Sequence, residues 1–175
     1  MTETIKINRA PVLTLWASVV AERLGFDRAT ALTLGQAVAG LSAYAKGVSL
    51  GIIEPNPDLV RDHGDRLVEG EQVRVDLLGR AVPVVRTPEG LRAVSKGKPG
   101  KPDRIEKYLA AKFGDRLGDA RLAMIELAAA HEPADLRRRG FRLYEGFRPA
   151  VPAGESGWGA KGELDLRKVR GAGRS

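Results

Sequence analysis

Residue types suited to catalysis are scarce in this chain, and their spacing narrows what they can do. Its 175 residues include no cysteine, which excludes thiolate nucleophiles, disulfides and thiolate metal sites. There are two histidines. His63 stands with Asp58, Asp62 and Asp65, and carboxylates with one imidazole can hold a divalent cation. The spacing fits no calcium loop, and Pro57 and Gly64 mark an ordinary turn, so no metal is expected. His131 falls near the predicted end of a helix, where imidazole interacts with the helix dipole. Ser18, Ser42, Ser49, Ser95 and Ser156 lack the G-x-S-x-G setting of a hydrolase nucleophile. Glu69 and Glu71 flank a predicted strand and read as solvated acids. Gly157-Trp158-Gly159-Ala160-Lys161-Gly162 matches G-x-G-x-x-G. In a dinucleotide fold that turn follows a strand and opens a helix, whereas here Pro149 and Pro152 precede it. The dinucleotide reading is rejected and no cofactor is expected. The motif reads as a glycine-rich turn that Trp158 docks onto the helical core.

The basic residues carry more information. The formal charge is +7, and it is unevenly spread. Seven basic residues stand against two acidic ones between 91 and 112, and ten against four between 136 and 175. Clustered positive charge attracts polyanions. Lys96, Lys98, Lys101, Arg104 and Lys107 run through a predicted linker into a helix N-terminus, a setting suited to phosphate contacts. Arg137, Arg138, Arg139 and Arg142 load another helix. Arg138 and Arg142 share a face there, with Arg139 beside them. Arg167, Lys168, Arg170 and Arg174 make a third cluster. The competing reading is a solvated charged face, with Arg142 paired to Glu145, in a chain whose arginine and alanine content reflects genomic base composition.

The elements that must position these side chains follow from hydrophobic periodicity. Residues 10–24 are a predicted helix with Leu13, Trp16, Val20 and Leu24 on one face, widened by Val12, Leu15 and Val19, and Gly25 as its stop. Asp27 is the predicted N-cap of a second helix, with Phe26 as a staple. Leu34, Val38, Leu41 and Ala45 form its apolar face, and Lys46-Gly47 its end. Ala31, Gly35 and Ala39 form a small-residue stripe on it, read as a packing surface for another copy or a partner. Asn56-Pro57-Asp58 is read as opening a single helical turn. Alternation over Gln72–Leu77 predicts a strand. Gly79-Arg80 is the predicted hairpin turn, and Ala81–Arg86 a second strand, placed at a sheet edge by Pro83. Thr87–Gly90 is a turn and Leu91–Val94 a third strand. Ser95–Pro102 reads as a flexible basic linker. Three helices follow: Pro102–Phe113 with Ile105, Tyr108, Leu109 and Phe113 inward, Leu117–His131 with Leu122, Ile125 and Ala129 inward, and Ala134–Phe147 with Leu136, Leu143 and Phe147 inward. A short helical turn is read around Leu164–Val169.

The expected architecture is a helix-dominated α+β protein: an N-terminal helical hairpin, a small antiparallel β-meander and C-terminal helices. Residues 1–150 are expected to be one globular domain and 151–175 a glycine-rich basic tail. No apolar run reaches the roughly 20 residues of a membrane span, and the first ten residues lack the apolar core of a signal peptide. A cytoplasmic protein is expected.

Several blocks also resemble a conserved bacterial family of uncharacterised proteins. They are Arg9-Ala10-Pro11-Val12-Leu13-Thr14-Leu15-Trp16, Ala31-Leu32-Thr33-Leu34-Gly35 and Ala37-Val38-Ala39-Gly40-Leu41, with Leu78-Gly79-Arg80 and Gly157-Trp158-Gly159. The resemblance implies a bacterial cytosolic setting and transfers no catalytic residue.

Three functions are therefore weighed. The first is a small binding protein that contacts nucleic acid through phosphates, without strong sequence preference. The second is an interaction module assembling, as a homo-oligomer or with a partner, through the N-terminal hairpin. The third is a small enzyme acting on an anionic substrate. Sequence-specific DNA reading by the helical pair ranks lower, because its second helix offers only Arg28, Thr30, Thr33 and Gln36 to bases.

Overall fold

A computed structural model describes residues 4–49, 72–95, 98–149 and 161–172. The chain is a helix-dominated α+β protein with an N-terminal helix pair, a small antiparallel sheet and C-terminal helices. Helix α1 spans Arg9–Arg23 and α2 spans Arg28–Ser49. Gly25 turns the chain between them with φ 112°. Asp27 caps α2 as its residue type requires: its carboxylate accepts from the Thr30 backbone N–H at 3.2 Å and from the Thr30 hydroxyl at 2.7 Å. The Thr30 bond holds the Asp27 carboxyl below its ordinary pKa.

Helix α1 is buried on every side. All eleven residues from Pro11 to Ala21 are buried, a wider coverage than the amphipathic face read from periodicity. Its two buried hydroxyls are satisfied inside the helix, Thr14 donating to the Ala10 carbonyl at 2.9 Å and Ser18 to the Leu15 carbonyl at 2.8 Å. Gly35 lets α2 lie directly on it. A Cβ there would collide with the Thr14 carbonyl oxygen and crowd the backbone nitrogen of Ser18.

The sheet order is β2-β3-β4-β5, all antiparallel, with β2 Gln72–Leu77, β3 Arg80–Thr87, β4 Gly90–Ser95 and β5 Lys98–Pro99. The β2–β3 turn is Leu78-Gly79, one residue earlier than predicted, with Leu77 opposite Arg80. Both turn residues have positive φ, 51° and 79°, as a two-residue hairpin turn matching strand twist demands. For leucine this conformation costs about 1 kcal/mol. Its side chain is buried, worth about 2 kcal/mol, so the strain is outweighed. Pro83 does not mark an edge strand, since β3 lies inside the sheet. The proline is tolerated because β3 pairs with β4 only from Val84 onward. At Pro83 the strand has a partner, Arg74, on one side alone. Residues 98–100 of the expected linker belong to the sheet region: Lys98 and Pro99 pair with Ser95 and Val94.

Helix α3 spans Pro102–Phe113, a 3₁₀ turn covers Gly114–Arg116, and α4 and α5 span Leu117–Ala129 and Pro133–Phe147. Residues 161–172 of the expected tail also join the fold. Strand β6 (Lys161–Asp165) pairs antiparallel with β1 (Thr4–Asn8), and α6 (Leu166–Gly171) packs on α4. Gly162 pairs with Ile7 inside that ribbon, so the last glycine of the G-x-G-x-x-G run lies in a strand and not at a helix start. Trp158, the 56–58 turn and the Asp58–Asp65 group lie outside the described residues. No helix among the described residues is long and apolar enough to cross a membrane.

The inner face of α4 is not the one that periodicity predicts. Ala120, Ala123, Met124, Leu127 and Ala128 are buried, while Leu122 and Ile125 are 56% and 43% exposed and Ala129 is exposed. The helix is apolar nearly all round, so period alone does not choose its inner face. The side rich in small residues is the one that packs inward.

Candidate nucleic-acid interface

Four of the predicted phosphate ligands form one continuous run. It starts on β5 with Lys98, passes Lys101 at the N-cap of α3, and continues to Arg104 and Lys107 on that helix. The run is held from beneath. The Gly100 N–H donates to the Ala93 carbonyl at 2.9 Å, and Gly100 packs against Thr33 of α2. Pro102 fits the first helical turn, where its missing N–H costs nothing. Ile105, Leu109 and Phe113 anchor α3 in the core, and Tyr108 is half-buried there, which raises its pKa. The four cations are exposed. None makes an ion pair or side-chain hydrogen bond with a described residue. Lys96 lies outside the described residues.

An acid in the same helix is kept from neutralising them. Arg121 of α4 grips Glu106 with two parallel hydrogen bonds of 3.0 Å each. That bond, more than any other influence, lowers the Glu106 pKa, and it engages both carboxylate oxygens. Sequence reasoning misses this pair, because the two residues stand fifteen apart across a helix junction and no local pattern joins them.

Helix α5 carries the second basic set. Leu136, Gly140, Tyr144 and Phe147 face inward. The Trp16 indole N–H donates to the Gly140 carbonyl at 2.9 Å, and its ring meets Phe147 edge-on, centroids 5.4 Å apart. The buried Leu78 side chain fills the notch at Gly140, where a Cβ would collide with it. Arg137, Arg138, Arg139 and Arg142 are all exposed. Arg138 pairs with Asp135 at 3.1 Å. The Arg142–Glu145 pair of the competing reading is not formed, and Arg137, Arg139 and Arg142 make no ion pair with a described residue. No hydrogen bond or ion pair among the described residues joins α3 to α5.

The small-residue stripe has a different place from the one expected. Ala31, Gly35 and Ala39 are buried within the chain, with Gly35 against the α1 backbone, so this surface is already covered. Of the four side chains that the second helix offers to bases, Arg28 and Gln36 are exposed. Thr30 and Thr33 are buried, the Thr30 hydroxyl, whose proton goes to Asp27, lying 2.7 Å from the Leu91 carbonyl oxygen and the Thr33 hydroxyl accepting from the Ala93 N–H at 2.9 Å. The cation at the α4 C-terminus is Arg23, which donates to the His131 and Ala128 carbonyls at 3.1 and 3.4 Å. His131 Nε2 is buried without a partner among the described residues. No group of three potential metal ligands occurs among the described residues. Comparison with known protein families, with curated proteins and with solved structures returns no match.

Proposed function

We propose that this is a small cytosolic binding protein that engages nucleic acid through its phosphates, without strong sequence preference. The observation that supports it most is the cation run from Lys98 through Lys101 and Arg104 to Lys107, unpaired among the described residues and held on the β5–α3 junction while Glu106 is occupied elsewhere. Lysines and arginines of this kind contact phosphates and carry no base code. The exposed Arg137, Arg139 and Arg142 of α5 are a second group of cations available to phosphates. The test is fluorescence anisotropy of labelled duplex and single-stranded oligonucleotides over a salt series. Removing one phosphate-binding cation lowers the log–log salt slope on duplex DNA by about 0.9. Replacing Lys98, Lys101 and Arg104 together by glutamine should therefore reduce the slope by about 2–3. An unchanged slope and affinity would remove these residues from the interface.

A second reading is an interaction module, and the observation favouring it is the exposure of Leu122 and Ile125 on α4. Sedimentation that shows only monomer for both the protein and its Leu122→Gln/Ile125→Gln variant would argue against self-assembly through this face.

A further inference from the structure

The start of α1 and the end of α5 meet at a group of donors that neither helix needs in full. Arg9 is the first residue of α1, and its Nε donates to the Pro149 carbonyl at 3.0 Å. The Tyr144 hydroxyl points at the Arg9 carbonyl from 3.4 Å, a long distance for an O–H···O bond. Arg148 follows α5, its backbone N–H donating to the Tyr144 carbonyl at 2.7 Å. Its guanidinium makes no hydrogen bond or ion pair with a described residue. Both guanidiniums act electrostatically on the Tyr144 phenol, and Arg148 acts on Arg9. No carboxylate acts on Arg9 or on Tyr144 among the described residues. Nor does an acid stand in the first turn of α1.

Pro149 lies beyond the end of α5, so the Arg9–Pro149 bond ties the start of α1 to the chain that leaves α5. This accounts for one nitrogen of Arg9. Among the described residues, the two terminal nitrogens of Arg9, the whole Arg148 guanidinium and the Tyr144 hydroxyl have no partner of comparable strength. Two like charges held together repel unless an anion lies between them.

We propose that Arg9, Arg148 and the Tyr144 hydroxyl bind a tetrahedral oxyanion, a phosphate group, at this junction. Guanidinium forks match phosphate oxygens in pairs. Burial raises the Tyr144 pKa to about 12, so its hydroxyl keeps the proton it would donate. The phosphate belongs either to a free small anion or to the end of a phosphorylated chain. The site is separate from the α3 cation run and does not depend on it.

Calorimetric titration with inorganic phosphate at constant ionic strength tests the site. One phosphate should bind per chain. Arg148→Gln should weaken it about tenfold or more, and Tyr144→Phe severalfold. Because the Arg148 side chain bonds no described residue, Arg148→Gln should melt as the parent does, which separates lost binding from lost folding. The Lys98/Lys101/Arg104 glutamine variant should bind phosphate unchanged. A short oligonucleotide with a 5′-phosphate binding more tightly than its 5′-hydroxyl twin would assign the phosphate to a chain end, and equal binding would assign it to a free anion. No heat at millimolar phosphate, or an affinity unaltered by Arg148→Gln, would overturn the proposal.

Discussion

Gly35→Ala should destabilise the protein although alanine is the better helix former. In an open helix position the exchange gains about 1 kcal/mol. At Gly35 the new methyl carbon would collide with the Thr14 carbonyl oxygen and crowd the nitrogen and Cβ of Ser18. These are mostly backbone atoms of α1, which cannot rotate away as a side-chain tip can. Relief requires α1 and α2 to separate, and α1 is gripped on its other sides by α3, α4, α5 and β1. Overpacking of this kind costs about 1–3 kcal/mol, and more where backbone is struck. The expected net loss is about 2 kcal/mol. With a urea m-value of about 2 kcal/mol per molar, the midpoint should fall by about 1 M. Gly40→Ala is the internal control. It lies in the same helix, is exposed, and a Cβ there meets nothing within 4 Å, so it should raise stability by up to about 1 kcal/mol. If Gly35→Ala shifted the midpoint upward as Gly40→Ala does, the close approach of α1 and α2 would be refuted.

On α4, Leu127→Ala should cost about 2–5 kcal/mol while Leu122→Ala stays within about 0.5 kcal/mol; equal losses in thermal melts would restore the face inferred from periodicity. The lowered pKa of Glu106 contributes stability that is present above its unfolded value and is lost as pH falls through the folded one. Glu106→Gln should therefore flatten the stability decline below about pH 4, measured by urea melts across an acid series. Tyr144 works in the opposite direction. Its raised pKa contributes stability that is full below the unfolded value near 10 and is lost as pH rises toward about 12. A spectrophotometric titration should show a tyrosine ionising near pH 12 that Tyr144→Phe removes, while the smaller upward shift of Tyr108 remains.

Much of the fold is legible in the sequence because local signals agree with it. Asp27 announces α2, the alternation from Gln72 announces β2, and Pro102 places the start of α3. The departures share a cause, since each depends on how an element pairs or packs and not on its own residue pattern. Ile5 and Ile7 alternate as a strand should, but β1 finds its partner at residues 161–165. Pro83 reads as an edge residue until the ladder to β4 is seen to begin one residue later. In α4, apolar residues surround the helix, so only the tertiary neighbours decide that Met124 goes in and Leu122 out. Of the candidate interface, the cation run itself is visible in the sequence. The Arg121 grip on Glu106 is not, and neither is the meeting of Arg9 with Tyr144 and Arg148, which lie most of the chain away from it.

The all-round burial of α1 has a consequence for synthesis. Its apolar surface leaves the ribosome well before its covering helices α4 and α5, which lie about a hundred residues later. At about 5–20 residues per second, that delay lasts roughly 5–20 seconds. During it α2, with its glycine seat on α1, is the only helix of the first hundred residues at hand to shield Leu13, Trp16 and Val20 among the described residues. The nascent chain is therefore a natural client for holding chaperones, and mutations that loosen the first two helices should lower soluble yield more than their equilibrium cost alone implies.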